Sequence, residues 1–142
     1  MTDFAQYGGY KRDFDFQIGP ARPEDFHSKA FGDRLWADLS RILEKPFEGA
    51  TIGPDAPDGH RYWFGDDDLS AHLYSGPPEP DSGVLGQVPA MLTVISRSDE
   101  VASSELAERM YDGLTASDDY LVAVFAYDGM PIAANFDIGD DW

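Results

Sequence analysis

Twenty-seven carboxylates, three histidines and no cysteine are what this 142-residue chain offers for chemistry. Without cysteine there is no thiol nucleophile, no thiolate zinc site and no disulfide framework. Two neighbouring carboxylates can serve as general acid and base. With 27 of them some pair always lies close, so proximity singles out no dyad. His27, His60 and His72 are far apart in the chain. His60 and His72 could face each other across a hairpin near Asp66-Asp67-Asp68, a minimal metal site, but structural and solvent-facing histidines are far commoner. The aspartate triplet lacks the alternating ligand spacing of a calcium loop, so a solvated turn is expected there. Ser70 and His72 lack the third, orienting group of a nucleophile pair. Gly83-Val84-Leu85-Gly86 has neither the lysine nor the following helix of a phosphate-binding loop. There is no G-x-S-x-G elbow and no H-E-x-x-H pair. The expectation is a non-catalytic protein with no cofactor and no metal.

Charge says more. The formal net charge is −17, and it is uneven: residues 1–45 hold eight acids against seven bases, the remainder nineteen against three, so residues 46–142 carry −16. Such a surface repels phosphate and anionic lipid and attracts a basic protein. Tyr62, Trp63, Tyr74 and Trp142 stand near acids, a mixture suited to aromatic anchors within a charged rim, although each could equally fill a core. The residues expected to meet a partner are Asp66, Asp67, Asp68, Glu79, Asp81, Asp118 and Asp119, with Tyr62, Trp63 and Tyr74.

The elements that must position them are legible from periodicity. Residues 120–136, YLVAVFAYDGMPIAANF, read as two strands joined at Asp128-Gly129, a dipeptide suited to the positive φ angles of a type I′ turn. The first strand is apolar on both sides, which suggests the middle of a sheet with a layer over each face. Pro131 suits only a strand start or an unpaired side. Residues 14–18 alternate as a half-buried strand. Pro23-Glu24-Asp25 resembles a helix start; Gly32 is expected to interrupt that helix and Asp33 to cap a second, residues 34–45, with an apolar stripe of Leu35, Leu39, Ile42 and Leu43 beside Trp36. Lys45 and Pro46 mark its end. A short strand at residues 50–52, strands at 60–64 and 69–74, a stiff loop at 76–83 and a strand at 90–95, apolar on both faces, follow. Ser98-Asp99-Glu100 is expected to open a second helix with Ala102, Leu106, Met110 and Leu114 on one face, ended by Gly113.

Strands and helices mix without strict alternation. The fold class is therefore α+β: one domain over residues 1–142, a mostly antiparallel sheet of about five or six strands with two main helices packed on it. Residues 90–95, the second helix and residues 121–127 could form a parallel crossover. Residues 1–12 read as a loose arm. The first residues lack the apolar core of a signal peptide, and no run approaches the length of a membrane span, which points to the cytoplasm. A small acidic domain of this kind fits an inhibitor that neutralises a basic partner, such as the immunity protein of a bacterial toxin. The alternatives are a nucleic-acid mimic that blocks a DNA- or RNA-binding protein, or an enzyme whose site has no recognisable motif. Direct nucleic-acid binding and membrane association are not expected.

Overall fold

A computed structural model describes residues 14–22, 28–45, 51–52, 60–75, 88–97, 102–125 and 131–136. Within them the order is β1 (Phe14–Pro20), α1 (Ser28–Leu43), β2 (Thr51–Ile52), β3 (His60–Gly65), β4 (Leu69–Ser75), β5 (Ala90–Ser96), α2 (Ser103–Thr115), β6 (Tyr120–Phe125) and β7 (Pro131–Ala134). This is the expected α+β arrangement: one antiparallel sheet with two helices on it. To the six longer strands the two-residue β2 adds a seventh, pairing with β3, Thr51 opposite Trp63.

The strand order is β2-β3-β4-β5-β1-β6-β7. The first described strand is thus an interior one, with Phe16 between Leu92 of β5 and Val124 of β6. Since β1 is antiparallel to both, β5 and β6 run parallel, and α2 connects them. The expected crossover is present, with β1 inserted between its strands. β6 is sixth of the seven rather than central. It pairs with β7, which begins at Pro131, so the hairpin forms; its Asp128-Gly129 turn lies outside the described residues. Asn135 extends the pairing beyond Ala134: its Oδ1 accepts from the Val122 N–H at 2.7 Å and its Nδ2 donates to the Tyr120 carbonyl at 2.9 Å.

Alternation puts the core on one face of the sheet. Phe14, Phe16 and Ile18 of β1, Leu69, Ala71 and Leu73 of β4, Ala90, Leu92 and Val94 of β5, and Tyr120, Val122 and Val124 of β6 are all buried. The registers align these residues, and both helices lie over them. α1 packs on β3 and β4, α2 on β1, β5 and β6, and the helices touch each other. Leu35, Trp36, Leu39 and Leu43 from α1 meet Leu106, Met110 and Leu114 from α2 in one cluster. Each large side chain buried there contributes about 1.5–3 kcal/mol. The expectation that β5 is apolar on both faces needs correction, since Met91 is 51% exposed and Thr93 and Ile95 are half-buried. β6 fits the two-sided pattern better: Ala123 and Phe125, opposite the helices, are also buried.

The two helix glycines are not breakers. α1 runs unbroken through Gly32, and α2 continues past Gly113. A Cβ on Gly32 would sit 2.9 Å from the Tyr62 Oη and 3.0 Å from the Ser75 Cβ; on Gly113 it would sit 2.8 Å from the Ile42 Cγ1. Each glycine sets how closely its helix approaches its neighbour. With α1 continuous, Asp33 caps nothing; its carboxylate accepts a 2.5 Å hydrogen bond from the Tyr62 phenol. α1 ends near the expected place. Glu44 takes a left-handed conformation (φ 57°) and the Lys45 N–H donates to the Ser40 carbonyl at 3.0 Å, a Schellman closure. Arg109 of α2 donates to the exposed Ile42 carbonyl at 3.2 Å, a cation where the helix dipole is negative. α2 begins at Ser103 and not at residues 98–100, because Ala102 is its N-cap in an extended conformation (φ −77°, ψ 149°). The expected helix start at residues 23–25, the loop at 76–83 and the arm at 1–12 lie outside the described residues.

Gly32→Ala should therefore destabilise the protein by about 1–3 kcal/mol through overpacking, against a gain of up to about 1 kcal/mol in helix propensity. Gly113→Ala should follow it more weakly, because Ile42 is half-buried. Urea denaturation decides: a net stabilisation of both variants would mean that the helices stand further off. Glu44→Gly should stabilise by about 1 kcal/mol by removing the left-handed penalty.

Candidate functional site

The residues expected to meet a partner occupy three separate places. Glu79 and Asp81 lie outside the described residues. Tyr62 borders the third of these places, but it is 3% exposed, its ring packs 5.5 Å from Trp36 and its hydroxyl is held by Asp33, so its side chain serves the core.

The β3–β4 turn carries Asp66, Asp67 and Asp68. Asp66 Oδ1 accepts from the backbone N–H groups of Asp68 at 2.8 Å and Leu69 at 3.0 Å, an Asx turn of the kind aspartate favours. Asp66 Oδ2 and Asp68 Oδ2 both receive the Lys45 ammonium, at 2.9 and 2.5 Å. The turn is thereby tied to the end of α1. The Asp68 hydrogen bond, then that of Asp66, raises the Lys45 pKa above its ordinary value. Burial opposes ionisation of Asp66, but Lys45 and the two backbone donors outweigh it and hold its carboxyl below the usual range. Asp67 is exposed.

At the opposite end of the sheet, where β1 finishes and β6 begins, Asp118 and Asp119 border a hollow of about 230 Å³ with Arg22, Phe31, Arg34 and Tyr120. Arg34 pairs with Asp119 at 2.6 Å and lies 5.7 Å from the centre of the Tyr120 ring. The Tyr120 hydroxyl donates to Asp38, and burial together with that carboxylate raises its pKa. Strands of six or seven residues separate the two ends, about 20 Å of sheet. Asp66–Asp68 and Asp118–Asp119 therefore lie at opposite ends of the sheet. Asp137, Asp140 and Asp141, which would extend the second group, lie outside the described residues.

The third place is the sheet face turned away from the helices. There Arg61, Trp63, His72, Tyr74, Met91 and Thr93 surround a hollow of about 520 Å³. The register builds it in rows: Arg61 opposite Tyr74 opposite Met91, then Trp63 opposite His72 opposite Thr93. The Arg61 guanidinium sits 4.7 Å from the centre of the Tyr74 ring, and Trp63 meets His72 edge-on at 6.0 Å. Thr93 donates to Asp15 at 2.8 Å.

No family model, no curated protein and no solved structure matches this chain. Function must be argued from these three places alone. The register pairs His60 with Ser75 and His72 with Trp63, so the two histidines do not face each other. Among the described residues no three His, Asp or Glu side chains cluster as a metal would require. No described helix is long and apolar enough to cross a membrane.

Arg61, Met91 and Arg34 are not singled out by the sequence, and Lys45 only as a helix end. Arg61 had a signal: in His60-Arg61-Tyr62-Trp63-Phe64, period two puts it beside Trp63. The lysine and Arg34 had none, because their partners lie 21 or more residues away.

Asp66→Ala removes an acceptor of two backbone bonds and half of the Lys45 pairing, and should cost about 1–2 kcal/mol near neutral pH. Because the folded-state pKa of Asp66 is lowered, its contribution is complete above the ordinary carboxylate pKa of about 4 and is lost as pH falls through the folded value. Denaturation curves of wild type and variant should converge only in acid; a difference independent of pH would contradict the ionised pairing.

Proposed function

We propose that this protein is a non-catalytic acidic binding protein that neutralises a basic protein partner, in the manner of a cytoplasmic immunity-type inhibitor of a bacterial toxin. The observation that carries this reading is the concentration of −16 of the −17 charge in residues 46–142. A field of that size draws a basic partner in and shortens its search. A cleft that binds nucleic acid is basic, and an acidic plug fits it by sign.

The surface acids differ in what they can give a partner. Asp66, Asp68 and Asp119 are already paired with Lys45 or Arg34. Asp67 and Asp118 are exposed and make no ion pair among the described residues. These two are the acids assigned to the partner, one at each end of the sheet. Carboxylates divided in this way are a poorer imitation of a phosphate row than a continuous stripe would be, which places the mimic reading second.

The test is association kinetics with a partner recovered by affinity capture and identified by mass spectrometry. The partner should be basic, and the association rate should fall as salt rises. Asp67→Ser combined with Asp118→Ser should slow association several-fold at low salt, with the difference vanishing at high salt and denaturation unchanged. Substituting all of Asp66, Asp67 and Asp68 would be a poor test, since two of them hold the turn. A partner of neutral or acidic character, or an association rate indifferent to both salt and the double substitution, would defeat the proposal.

A further inference from the structure

The hollow on the open sheet face has a chemistry unlike the rest of the surface. None of the described acids lines it, and Arg61 is the one residue of fixed charge among its described lining residues. Arg61 has no carboxylate partner among the described residues; its guanidinium lies against the Tyr74 ring at 4.7 Å. A guanidinium stacked by its face keeps its N–H donors in the plane, where they can grip a carboxylate side-on. Beside it stand Trp63, 42% exposed, and Met91, 51% exposed, the two large apolar side chains most open to solvent among the described residues. Both project from strands paired on each side, so the platform is fixed by the backbone ladder rather than by a loop. A volume of about 520 Å³ suits a small molecule.

We propose that this hollow binds a small planar aromatic carboxylate. The ring lies among Trp63, Tyr74 and Met91, and the carboxylate bonds to Arg61. Other occupants fit less well. A basic protein segment would meet Arg61 with like charge. A second copy of the chain would bring another −17. The repulsion that the whole chain exerts on a small anion is screened beyond about 8 Å at physiological salt, whereas Arg61 acts at hydrogen-bond range. The site is independent of the acidic ends assigned to a partner, and it stands or falls separately from them.

Three probes of one shape and different charge test it: 2-naphthoate, 2-naphthalenemethanol and 2-naphthylmethylamine, titrated into the full chain while the Trp63 indole N–H and Arg61 Nε–H resonances are followed by NMR. Naphthoate should shift both resonances and bind about tenfold more tightly than the alcohol, the size of one charge-assisted hydrogen bond, with the amine weakest. Arg61→Gln should bring the acid down to the level of the alcohol, and Trp63→Ala should weaken all three. The acid-to-alcohol ratio is taken within each variant, so a change in folded fraction cancels. No shift at either resonance with millimolar naphthoate would overturn the proposal. So would an amine that binds as well as the acid, or an acid preference that survives Arg61→Gln.

Discussion

The close approach of α1 to the sheet at Gly32 is the constraint on which the rest of the structure depends. There the helix backbone comes within van der Waals reach of Tyr62 and Ser75, and only a residue without a Cβ leaves the room. The same tyrosine donates to Asp33, one residue further along α1, and packs its ring on Trp36. Three positions within about one turn of one helix, Gly32, Asp33 and Trp36, are thereby registered on one strand residue. A buried phenol that lost this acceptor would leave an unsatisfied group costing about 1–3 kcal/mol, so orientation and depth are fixed together. α2 is then placed by α1, through the contact of Gly113 with Ile42 and the Arg109 cap on the last turn.

One consequence is that both helices fall on the same face. The apolar alternates of β1, β4, β5 and β6 are covered, and the other alternates of β3 to β5 are not. A second consequence concerns charge. Two of the described ion-pair groups tie elements together: Lys45 holds the β3–β4 turn to the end of α1, and Arg34 holds the residues before β6 to the middle of α1. Exposed pairs such as that of Arg34 contribute little, of order 0–1 kcal/mol. The half-buried Lys45 group, with two carboxylates and two backbone donors, is the better organised. The large surplus of acid that remains is therefore available to act outward, while the open face, with Arg61 and its aromatics, offers a different kind of recognition.

Much of this was legible in the sequence because it is local. Period-two alternation located β1 and, less regularly, β4, the apolar stripe located α1, and the aliphatic run with Pro131 located β6 and β7. Even the short β2 lay within the expected residues 50–52. What failed was whatever depends on a neighbour distant in sequence. Gly32 and Gly113 have the residue type of a breaker, and only Tyr62, Ser75 and Ile42 explain why they are spacers. Tyr62 and Trp63 are adjacent aromatics of similar promise, and the pleat sends one to the core and the other to solvent. Met91 looks like core in an apolar run, but it faces away from the helices. The acids at residues 66–68 and 118–119 are alike in type, and only the strand pairing sets them at opposite ends.

One-sided burial is the central claim, and the tryptophans report on it directly. The chain has three, and incorporation of 5-fluorotryptophan gives three ¹⁹F resonances assignable by Trp36→Phe, Trp63→Phe and Trp142→Phe. Transfer from H₂O to D₂O shifts a resonance in proportion to its contact with solvent. The account predicts a near-zero shift for Trp36, under α1 against Tyr62, and a large one for Trp63 on the uncovered face. A Trp63 resonance as shielded as that of Trp36 would contradict it.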